Sequence, residues 1–561
     1  MGYGLVYGAD IVTKGGMLSC GRPESAVAGM RALERGGNAV DAAVTAAFVA
    51  MVVEPAHNGL GGCGGCMLVY LADEDRAYAV DYNTCAPAKA APELLQSEWA
   101  EGENPLAEKE AVPRGCLTIG VPGTLAGLSL ALERFGTLCL REAIEPAIEQ
   151  AVQGFAVRGS TARAIGAVAE RLRDFPGSAA ALMPGGKPPR RGGRIVFEEL
   201  GRTLRTIAQE GACAFYEGAI GQAICEHVGG MGGILTGDDL AAYRAHVREP
   251  LYATYRGYGV FGAPLPNGGI SVLQALNVLE CFQLAEWECQ GPQFVHTVVE
   301  ALKLVRRDRM AYFGDPDFVA VHVDRFLSKQ YAAKVRRKIG KEPVRVASVH
   351  SDSGSEAMHL CVVDAQRNMV SLTQSHGSLF GSLVTVPGVG ITLNNGLSRF
   401  DPKPGRPNSI APRKRPLDNL CPVLIVRDSK PVAALGYAGG RETIGGALHL
   451  MVSLLDFDLT VSDALSSGRF GNEGGGAIFA EARDLGTPAT GASLAEDVGD
   501  DHITHQSVPP ATCDRLREMG HDIKLVPTAA GIGHVIHVDR PNGRLCSAPD
   551  PRGEGLVAAA G

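Results

Sequence analysis

The chain has 561 residues, a net charge of −8 and a pI near 6.0, with 45% hydrophobic and 20% charged residues. This composition is ample for a large buried core. The acidic balance, without a run of interleaved basic and aromatic residues, argues against a nucleic-acid partner. The most apolar run, Ala39 to Val53, contains Asp41 and is shorter than the ~18 residues that span a bilayer, so we expect no membrane segment.

The first half of the chain predicts a helical pair, then sheet strands, then a mainly helical region. The pair covers residues 22–53, because Glu24 to Leu33 has apolar residues at helical spacing and stops at Gly36-Gly37. Residues 66–81 are typical of two strands around an acidic turn, and residues 120–345 are mostly helical with intervening turns.

The start of the chain and its cysteines bear on location and metal binding. Met1 to Tyr7 has neither the charged start nor the apolar stretch of a secretory signal, so we expect a cytoplasmic protein, or a mature chain whose leader was removed. Fourteen scattered cysteines suit free thiols in a reducing compartment. Cys63 and Cys66 have the spacing of half a zinc site, but no second pair accompanies them. We expect neither a metal nor another cofactor.

The second half of the chain begins with a polar, glycine-containing linker, residues 340–356, which runs into a buried strand from Leu360 to Val363. A second strand follows over residues 369–375, and strands alternate through residue 435. Helical patterns occupy residues 440–466 and 509–520. Residues 472–506 are rich in Gly, Ala, Asp and Glu without periodicity, which predicts a surface insertion.

A series of short motifs runs through nearly the whole chain in a fixed order. They are Gly36 to Val44, Val52 to Pro55, Gly59 to Tyr70, Val121 to Thr124, Tyr312 to Asp317, Leu393 to Asn395, Lys414 to Leu417, Ala438 to Gly440 and Asp550 to Arg552. The series resembles the γ-glutamyltransferase family of N-terminal-nucleophile hydrolases. The resemblance implies an α/β (α+β) fold, an αββα sandwich. Its large segment, 1–356, and its small segment, 357–561, would intertwine in one globular domain.

The family's nucleophile is a threonine two residues before the histidine of the motif, which here is Ala357. By resemblance, that threonine cuts the precursor in front of itself, and its freed amine then serves as general base for its own hydroxyl. A methyl group can do neither. We therefore expect the chain as written to be an uncut, inactive precursor form. A form with Ala357→Thr would split into two segments that stay associated as a heterodimer, with a higher oligomer left open.

Four further residues are catalytic candidates by the same resemblance. Gly439 and Gly440 match a glycine pair whose N–H groups hold the oxyanion, although a Gly-Gly pair is also common at any strand-to-helix turn. Thr373 and Ser375 lie on one face of a strand. Ser375 occupies the position whose hydroxyl bonds to the catalytic threonine; the alternative is an ordinary strand hydroxyl.

The substrate positions depart from the family pattern. Asn83 stands where an arginine holds the glutamate α-carboxylate, and Arg399 stands where an acidic residue holds the α-amine. Asp418 and Asn419 replace a serine pair. With His376 and Arg441, Arg399 is a candidate for recognising an anionic acyl group without an amine, such as a dicarboxylic half-amide. The alternative for Arg399 is a structural ion pair with Asp418 or Asp401.

Three functions remain open from the sequence. The first is an amidohydrolase or acyltransferase acting on a small amide that is not γ-glutamyl, as in the family's cephalosporin acylase branch. The second is a family member that cleaves a carbon–carbon bond in an antibiotic pathway. The third is a pseudoenzyme with a binding role. The retained Gly439-Gly440 pair, Ser375 and linker favour the first.

Overall fold

A computed structural model describes residues 10–93, 114–344, 356–472, 476–482, 505–527, 531–539 and 541–560. The helices of the large segment are α1 (Pro23–Glu34), α2 (Ala39–Val53), α3 (Thr124–Phe135), α4 (Leu140–Gln153), α5 (Gly159–Leu172), α6 (Pro176–Leu182), α7 (Glu198–Glu210), α8 (Cys213–Tyr216), α9 (Ala219–Gly230), α10 (Gly237–Ala242), α11 (Gly269–Leu279), α12 (Pro292–Tyr312), α13 (Val323–Leu327) and α14 (Lys329–Arg336). Those of the small segment are α15 (Thr443–Leu455), α16 (Val461–Ser466) and α17 (Pro510–Glu518).

The strands of the first half are β1 (Ile11–Thr13), β2 (Met17–Cys20), β3 (Gly64–Leu71), β4 (Arg76–Asp81), β5 (Phe155–Ala156), β6 (Arg194–Ile195), β7 (His246–Arg248), β8 (Leu251–Tyr255) and β9 (Tyr258–Gly262). Those of the second half are β10 (Glu356–Val363), β11 (Met369–Gly377), β12 (Thr385–Val386), β13 (Ile391–Thr392), β14 (Val423–Arg427), β15 (Lys430–Ala438), β16 (Phe470–Gly471), β17 (Ala477–Glu481), β18 (Asp522–Val526), β19 (Ile532–Asp539), β20 (Arg544–Ser547) and β21 (Leu556–Ala559).

Two seven-stranded antiparallel sheets form the centre of the molecule. Sheet I has the order β21-β2-β10-β11-β3-β4-β7, and sheet II has the order β1-β20-β19-β15-β14-β9-β8. Each sheet takes strands from both sides of position 357. Neither sheet could therefore be completed by the residues on one side of this position alone.

The cores lie in three layers. Alternate residues of β10 show this: Leu360 and Val362 pack with the helices around α2, whereas Cys361 and Val363 pack between the two sheets. A third cluster fills the space between sheet II and helices α11, α12 and α15. The order is helices, sheet, sheet, helices. The expectation of an αββα sandwich is confirmed.

Helix α2 explains the most apolar run of the sequence. Asn38 caps the helix by accepting hydrogen bonds from the N–H groups of Val40 and Asp41, and the Asp41 carboxylate accepts one in return from the N–H of Asn38. Every residue of α2 is buried, since it packs against α1, α4 and sheet I. Within the ranges described above, we find no helix that is both long and apolar enough to cross a membrane.

Most predicted elements are present, with two differences. Residues 120–345 also contain the strands β5 to β9, of which β8 and β9 form one edge of sheet II. The prediction that all of 472–506 is a surface insertion is wrong for β17. Ile478 and Ala480 of β17 are buried in the core, and the Glu481 carboxylate forms a buried ion pair with Arg552. Residues 483–504 and the linker portion 345–355 lie outside the described residues. All fourteen cysteines are described and are free thiols.

Candidate active site

The start of β10 contains an irregularity at position 357. Glu356 pairs with Gly377 and Met358 pairs with Gln374, so Ala357 alone lies opposite two residues of β11, Ser375 and His376. Such a β-bulge re-aims side chains and is frequent next to active sites. Ala357 is buried here, and the bulge brings the backbone of Ser375 alongside it.

Ser375 contacts a buried ion pair. The Ser375 hydroxyl oxygen accepts a hydrogen bond from Arg399 Nη2 at 3.2 Å and another from the Gly377 N–H at 2.8 Å. Arg399 Nη1 forms an ion pair with Asp418 Oδ2, and both side chains are almost fully buried. The guanidinium charge beside Ser375 is thus already compensated by Asp418. Of the two partners proposed from the sequence, Asp418 is the one observed.

Thr373 lies on the same face of β11 as Ser375, and its hydroxyl is hydrogen-bonded to His359 Nδ1 at 2.8 Å. The His359 ring packs against Gly436 of sheet II so closely that a Cβ there would come within 2.2 Å of it. Burial holds the pKa of His359 well below its usual range. His359 is therefore a neutral packing residue between the sheets.

Gly439 and Gly440 lie at the same end of the sandwich as Ala357. The Ser371 hydroxyl of β11 donates to the Leu435 carbonyl of β15. Further along β11, at Thr373, side chains on the same face contact sheet II nearer to the end of β15. The glycine pair follows directly after β15 and leads into α15. Gly440 has a φ of +57°, a left-handed conformation that favours glycine. Neither of the two N–H groups donates a hydrogen bond to a described residue.

His376 does not share a face with Ser375. Its ring packs on Gly59, where a Cβ would come within 2.5 Å of the His376 Nε2, on the helix side of sheet I. Burial lowers the pKa of His376 to about 3. Gln374, two residues earlier on the same face of β11, donates a hydrogen bond to the Asn58 side chain. The sequence grouped His376 with Arg399 as substrate ligands. The structure separates them, because Arg399 contacts Ser375, and adjacent strand residues such as Ser375 and His376 point to opposite faces.

Asn83 reaches the other side of the site. Its side-chain Nδ2 donates to the backbone carbonyl of Pro416 at 3.3 Å, and Pro416 lies two residues before Asp418. The backbone carbonyl of Asn83 accepts from the Tyr243 hydroxyl. Asn83 is completely buried and carries no charge. Arg415, the residue before Pro416, forms an ion pair with Asp81 at 3.3 Å. The structure therefore brings Asn83 close to the Arg399–Asp418 pair through the segment 416–418.

Segment 418–419 is anchored to the large segment. The Asp418 N–H donates to the Pro266 carbonyl at 3.1 Å, and Arg309 Nη2 donates to the Asp418 carbonyl at 2.7 Å. Asn419 lines a cleft that also contains Arg441, the residue after Gly440. Arg309 was missed by the sequence interpretation. Its signal was a run of arginines near the end of helix α12.

One cluster of potential metal ligands occurs in the described part of the chain, and it lies away from this site. His296, Glu300 and His521 are buried together, with 2.7 Å between His296 Nδ1 and His521 Nε2. The Glu300 carboxylate already accepts from Lys303 Nζ at 2.7 Å and from the Val344 N–H at 2.6 Å. The arrangement is that of a hydrogen-bonded cluster, in which the Lys303 ammonium competes with any cation.

Cys63 and Cys66, the half zinc site of the sequence, are both buried. The Cys63 thiol donates to the His376 carbonyl at 3.2 Å. Burial raises the pKa of the Cys63 thiol to about 12, which disfavours the thiolate that metal binding requires.

The family model of γ-glutamyltranspeptidase matches residues 25–560. The chain belongs to this family. Its members are N-terminal-nucleophile hydrolases and transferases. The chain is 35% identical over 549 residues to the acylase ACY 1 proenzyme of Pseudomonas sp. (strain SE83), covering 97% of this chain and 93% of the relative. It is 33% identical over 475 residues to the glutathione hydrolase proenzyme of Escherichia coli (strain K12), covering 82% and 81%.

Solved structures of the γ-glutamyltranspeptidase family have the same fold. The cephalosporin acylase of Bacillus halodurans superimposes with a TM-score of 0.87 and 28% identity, covering 99% of this chain and 97% of that one. The γ-glutamyltranspeptidase of Helicobacter pylori gives a TM-score of 0.54 at 34% identity over 58% of this chain and 91% of its own. The resemblance inferred from the motifs is confirmed.

Proposed function

We propose that this chain is the precursor form of an amidohydrolase or acyltransferase of the γ-glutamyltranspeptidase family, whose acyl substrate lacks the α-amino group of glutamate. The observation that carries this proposal is the hydrogen bond from Arg399 to Ser375, with Asp418 as the counter-ion. An amino-acid donor would bring its α-ammonium group to the position of Arg399, where it would find a guanidinium paired with Asp418 instead of a carboxylate that could accept from it.

The other end of the donor site supports the same substrate class. Asn83 is neutral, and the guanidinium of Arg415, which precedes the Pro416 that Asn83 contacts, is engaged by Asp81. A zwitterionic γ-glutamyl group would therefore lack both of its charge partners. The names of two similar proteins, an acylase and a cephalosporin acylase, are consistent with an acyl group other than γ-glutamyl.

The chemistry would begin with a threonine introduced by Ala357→Thr. Its hydroxyl would attack the carbonyl carbon of Glu356, the peptide C–N bond would break, and the amine would take up the hydroxyl proton. Water would then hydrolyse the ester, which frees the carboxylate of Glu356 and restores the hydroxyl. In turnover the freed amine serves as general base, and the N–H groups of Gly439 and Gly440 are suited to hold the tetrahedral oxyanion.

The experiment is to compare Ala357→Thr with Ala357→Val, because valine has the shape of threonine without its hydroxyl. Intact-mass spectrometry after purification should give segments 1–356 and 357–561 for the threonine variant. The valine variant and the chain as it stands should remain single. The two segments should elute together, because both sheets need strands from each.

Two results would contradict the proposal. Cleavage of the valine variant at the same bond would show that the hydroxyl is not the nucleophile. A folded threonine variant that stays uncut for days at neutral pH would favour the pseudoenzyme, for which Ala357 itself is the supporting observation. The carbon–carbon-cleaving alternative and the cytoplasmic location stay predictions.

A further inference from the structure

The loop of residues 378–384, which follows β11 directly, has a strained backbone. Phe380 and Leu383 have φ angles of +56° and +64°, and both side chains are fully buried. This left-handed conformation is uncommon for bulky residues, because their Cβ atoms crowd the backbone. Strained residues of this kind persist only where their surroundings hold them, and they cluster at functional sites. The loop 378–384 therefore depends on the contacts that hold it.

Arg114 holds the first half of this loop from the large segment. Its Nη1 donates to the Leu379 carbonyl at 2.9 Å and also to the Gly381 carbonyl, so it binds the residues on either side of the first strained position. The next residue, Gly115, donates its N–H to the Ser382 carbonyl at 2.9 Å. One guanidinium nitrogen and one neighbouring N–H group thus bind three carbonyl groups of the loop.

The charge of Arg114 is directed at these carbonyl groups. Within the described ranges its hydrogen bonds go only to the loop, and no carboxylate forms an ion pair with it. Burial and the charge of Arg171 lower the pKa of Arg114 to about 10. A partly buried cation without a carboxylate is costly for the folded chain. The contact is therefore of a kind that is retained at functional sites at the expense of stability.

The loop is joined to the candidate active site at its first residue. The Gly377 N–H, at the end of β11, donates to the Ser375 hydroxyl at 2.8 Å. The Ser378 N–H donates to Asn395 Oδ1 at 3.0 Å, and Asn395 Nδ2 donates back to the Ser378 hydroxyl at 3.1 Å. Asn395 precedes the short helical turn that ends at Arg399, the second donor to Ser375. A shift of the loop would therefore disturb both hydrogen bonds that the Ser375 hydroxyl accepts.

We propose that Arg114 is a positioning residue, which fixes the loop 378–384 and thereby the two donors that orient the Ser375 hydroxyl beside position 357. The part of this inference that concerns turnover rests on the proposed function. Arg114 itself donates to the loop and not to Ser375, so it acts through the loop.

The positioning can be measured on the chain as it stands, because it needs no nucleophile. In hydrogen–deuterium exchange, Arg114→Ala should speed exchange about tenfold or more in peptides that cover residues 377–384 and 395–399, as expected for the loss of charge-assisted hydrogen bonds. Arg114→Lys, with an ammonium in place of the planar guanidinium, should give the same pattern with smaller changes. It replaces the alanine variant if that variant does not fold.

The matched control is Arg367→Ala. Arg367 also donates to backbone carbonyls, those of Asp364 at 3.1 Å and Lys14 at 3.0 Å, but it lies in the turn between β10 and β11, at the opposite end of these strands from Ser375. Its loss should leave exchange in residues 377–384 and 395–399 unchanged. Unchanged exchange in Arg114→Ala, or equal changes in the two variants, would overturn the proposal.

Turnover gives the second readout. In the Ala357→Thr background, Arg114→Ala should lower kcat for glutaryl-p-nitroanilide about tenfold and leave KM nearly unchanged, because the Ser375 hydroxyl acts on the nucleophile. Arg367→Ala should keep kcat. Millimolar guanidinium chloride, far below denaturing concentrations, should restore part of the kcat of Arg114→Ala, whereas sodium chloride should not. A loss of kcat that both salts leave unchanged would assign Arg114 a structural role only.

Failure of the positioning role and failure of the proposed function give different results. If Ala357→Thr cuts itself and hydrolyses the amide while Arg114→Ala leaves kcat unchanged, the positioning role is wrong and the enzyme stands. If Arg114→Ala speeds exchange in both peptides but the threonine variant never cuts, Arg114 fixes the loop and the proposed function is wrong.

Discussion

The buried ion pair between Arg399 and Asp418 supplies the sharpest test of how this site is built. The exposed fractions of the two side chains are 3% and 0%, so neither charge has water to replace its partner. Removing one member of such a pair typically destabilises a protein by about 3–5 kcal/mol, because the remaining charge is left buried and uncompensated. We therefore expect Asp418→Asn to lower the free energy of unfolding by about 3–5 kcal/mol.

A double-mutant cycle separates the pair from its surroundings. Arg399→Met combined with Asp418→Asn removes both charges, so the double variant should be less destabilised than the sum of the two single variants by about 2–3 kcal/mol. The assay is urea unfolding followed by circular dichroism, with refolding verified. Glu518→Gln is the control, since its pair with Arg515 is well exposed and should contribute about 0–1 kcal/mol.

Two outcomes would refute this reasoning. Additive single effects would mean that Arg399 and Asp418 do not interact energetically. A cost for Asp418→Asn no larger than that of Glu518→Gln would mean that the guanidinium is solvated or paired elsewhere. Either result would make Arg399 available as a substrate ligand again and would show that Asp418 does not compensate its charge.

Three further predictions concern turnover and pH. In the Ala357→Thr background, Ser375→Ala should slow turnover about tenfold or more by removing one hydrogen bond near the nucleophile. Ser371→Ala, on the same face of β11, should leave turnover unchanged, and equal losses of turnover in the two variants would assign Ser375 a structural role only. The same background should release p-nitroaniline from its γ-glutamyl amide at least about a hundredfold less efficiently than from its glutaryl amide, since the cation of Arg399 opposes the α-ammonium; efficient γ-glutamyl release would contradict the donor assignment. Burial lowers the pKa of His449 to about 3, so this side chain stays unprotonated in the folded chain, whereas in the unfolded chain it gains a proton below about pH 6.5. The free energy of unfolding should therefore fall by up to about 2 kcal/mol from pH 7 to pH 5 because of this group. His449→Gln should make the urea midpoint less dependent on pH.

The order of the motifs in the sequence indicated the family, and the resemblance to that family implied the layers and the expectation that Ala357 stands at the nucleophile position. These features are local: the capped start of α2 at Asn38, the strand pair β10 and β11 around a short turn, and the glycine pair after β15 are all encoded by neighbouring residues. Strand alternation alone could have separated His376 from Ser375, because adjacent residues of a strand point to opposite faces.

The tertiary structure decided which charges meet. Arg399 lies 19 residues from Asp418, and only their burial against each other turns a candidate substrate ligand into a compensated pair. Arg309 reaches the Asp418 carbonyl across 109 positions of the chain, which brings α12 and the cleft to the site. The strand β17, within a segment that has no periodicity, forms because its partners β16 and β18 are supplied from elsewhere. Contacts of this kind depend on how distant segments pack, and no local pattern of residue types encodes them.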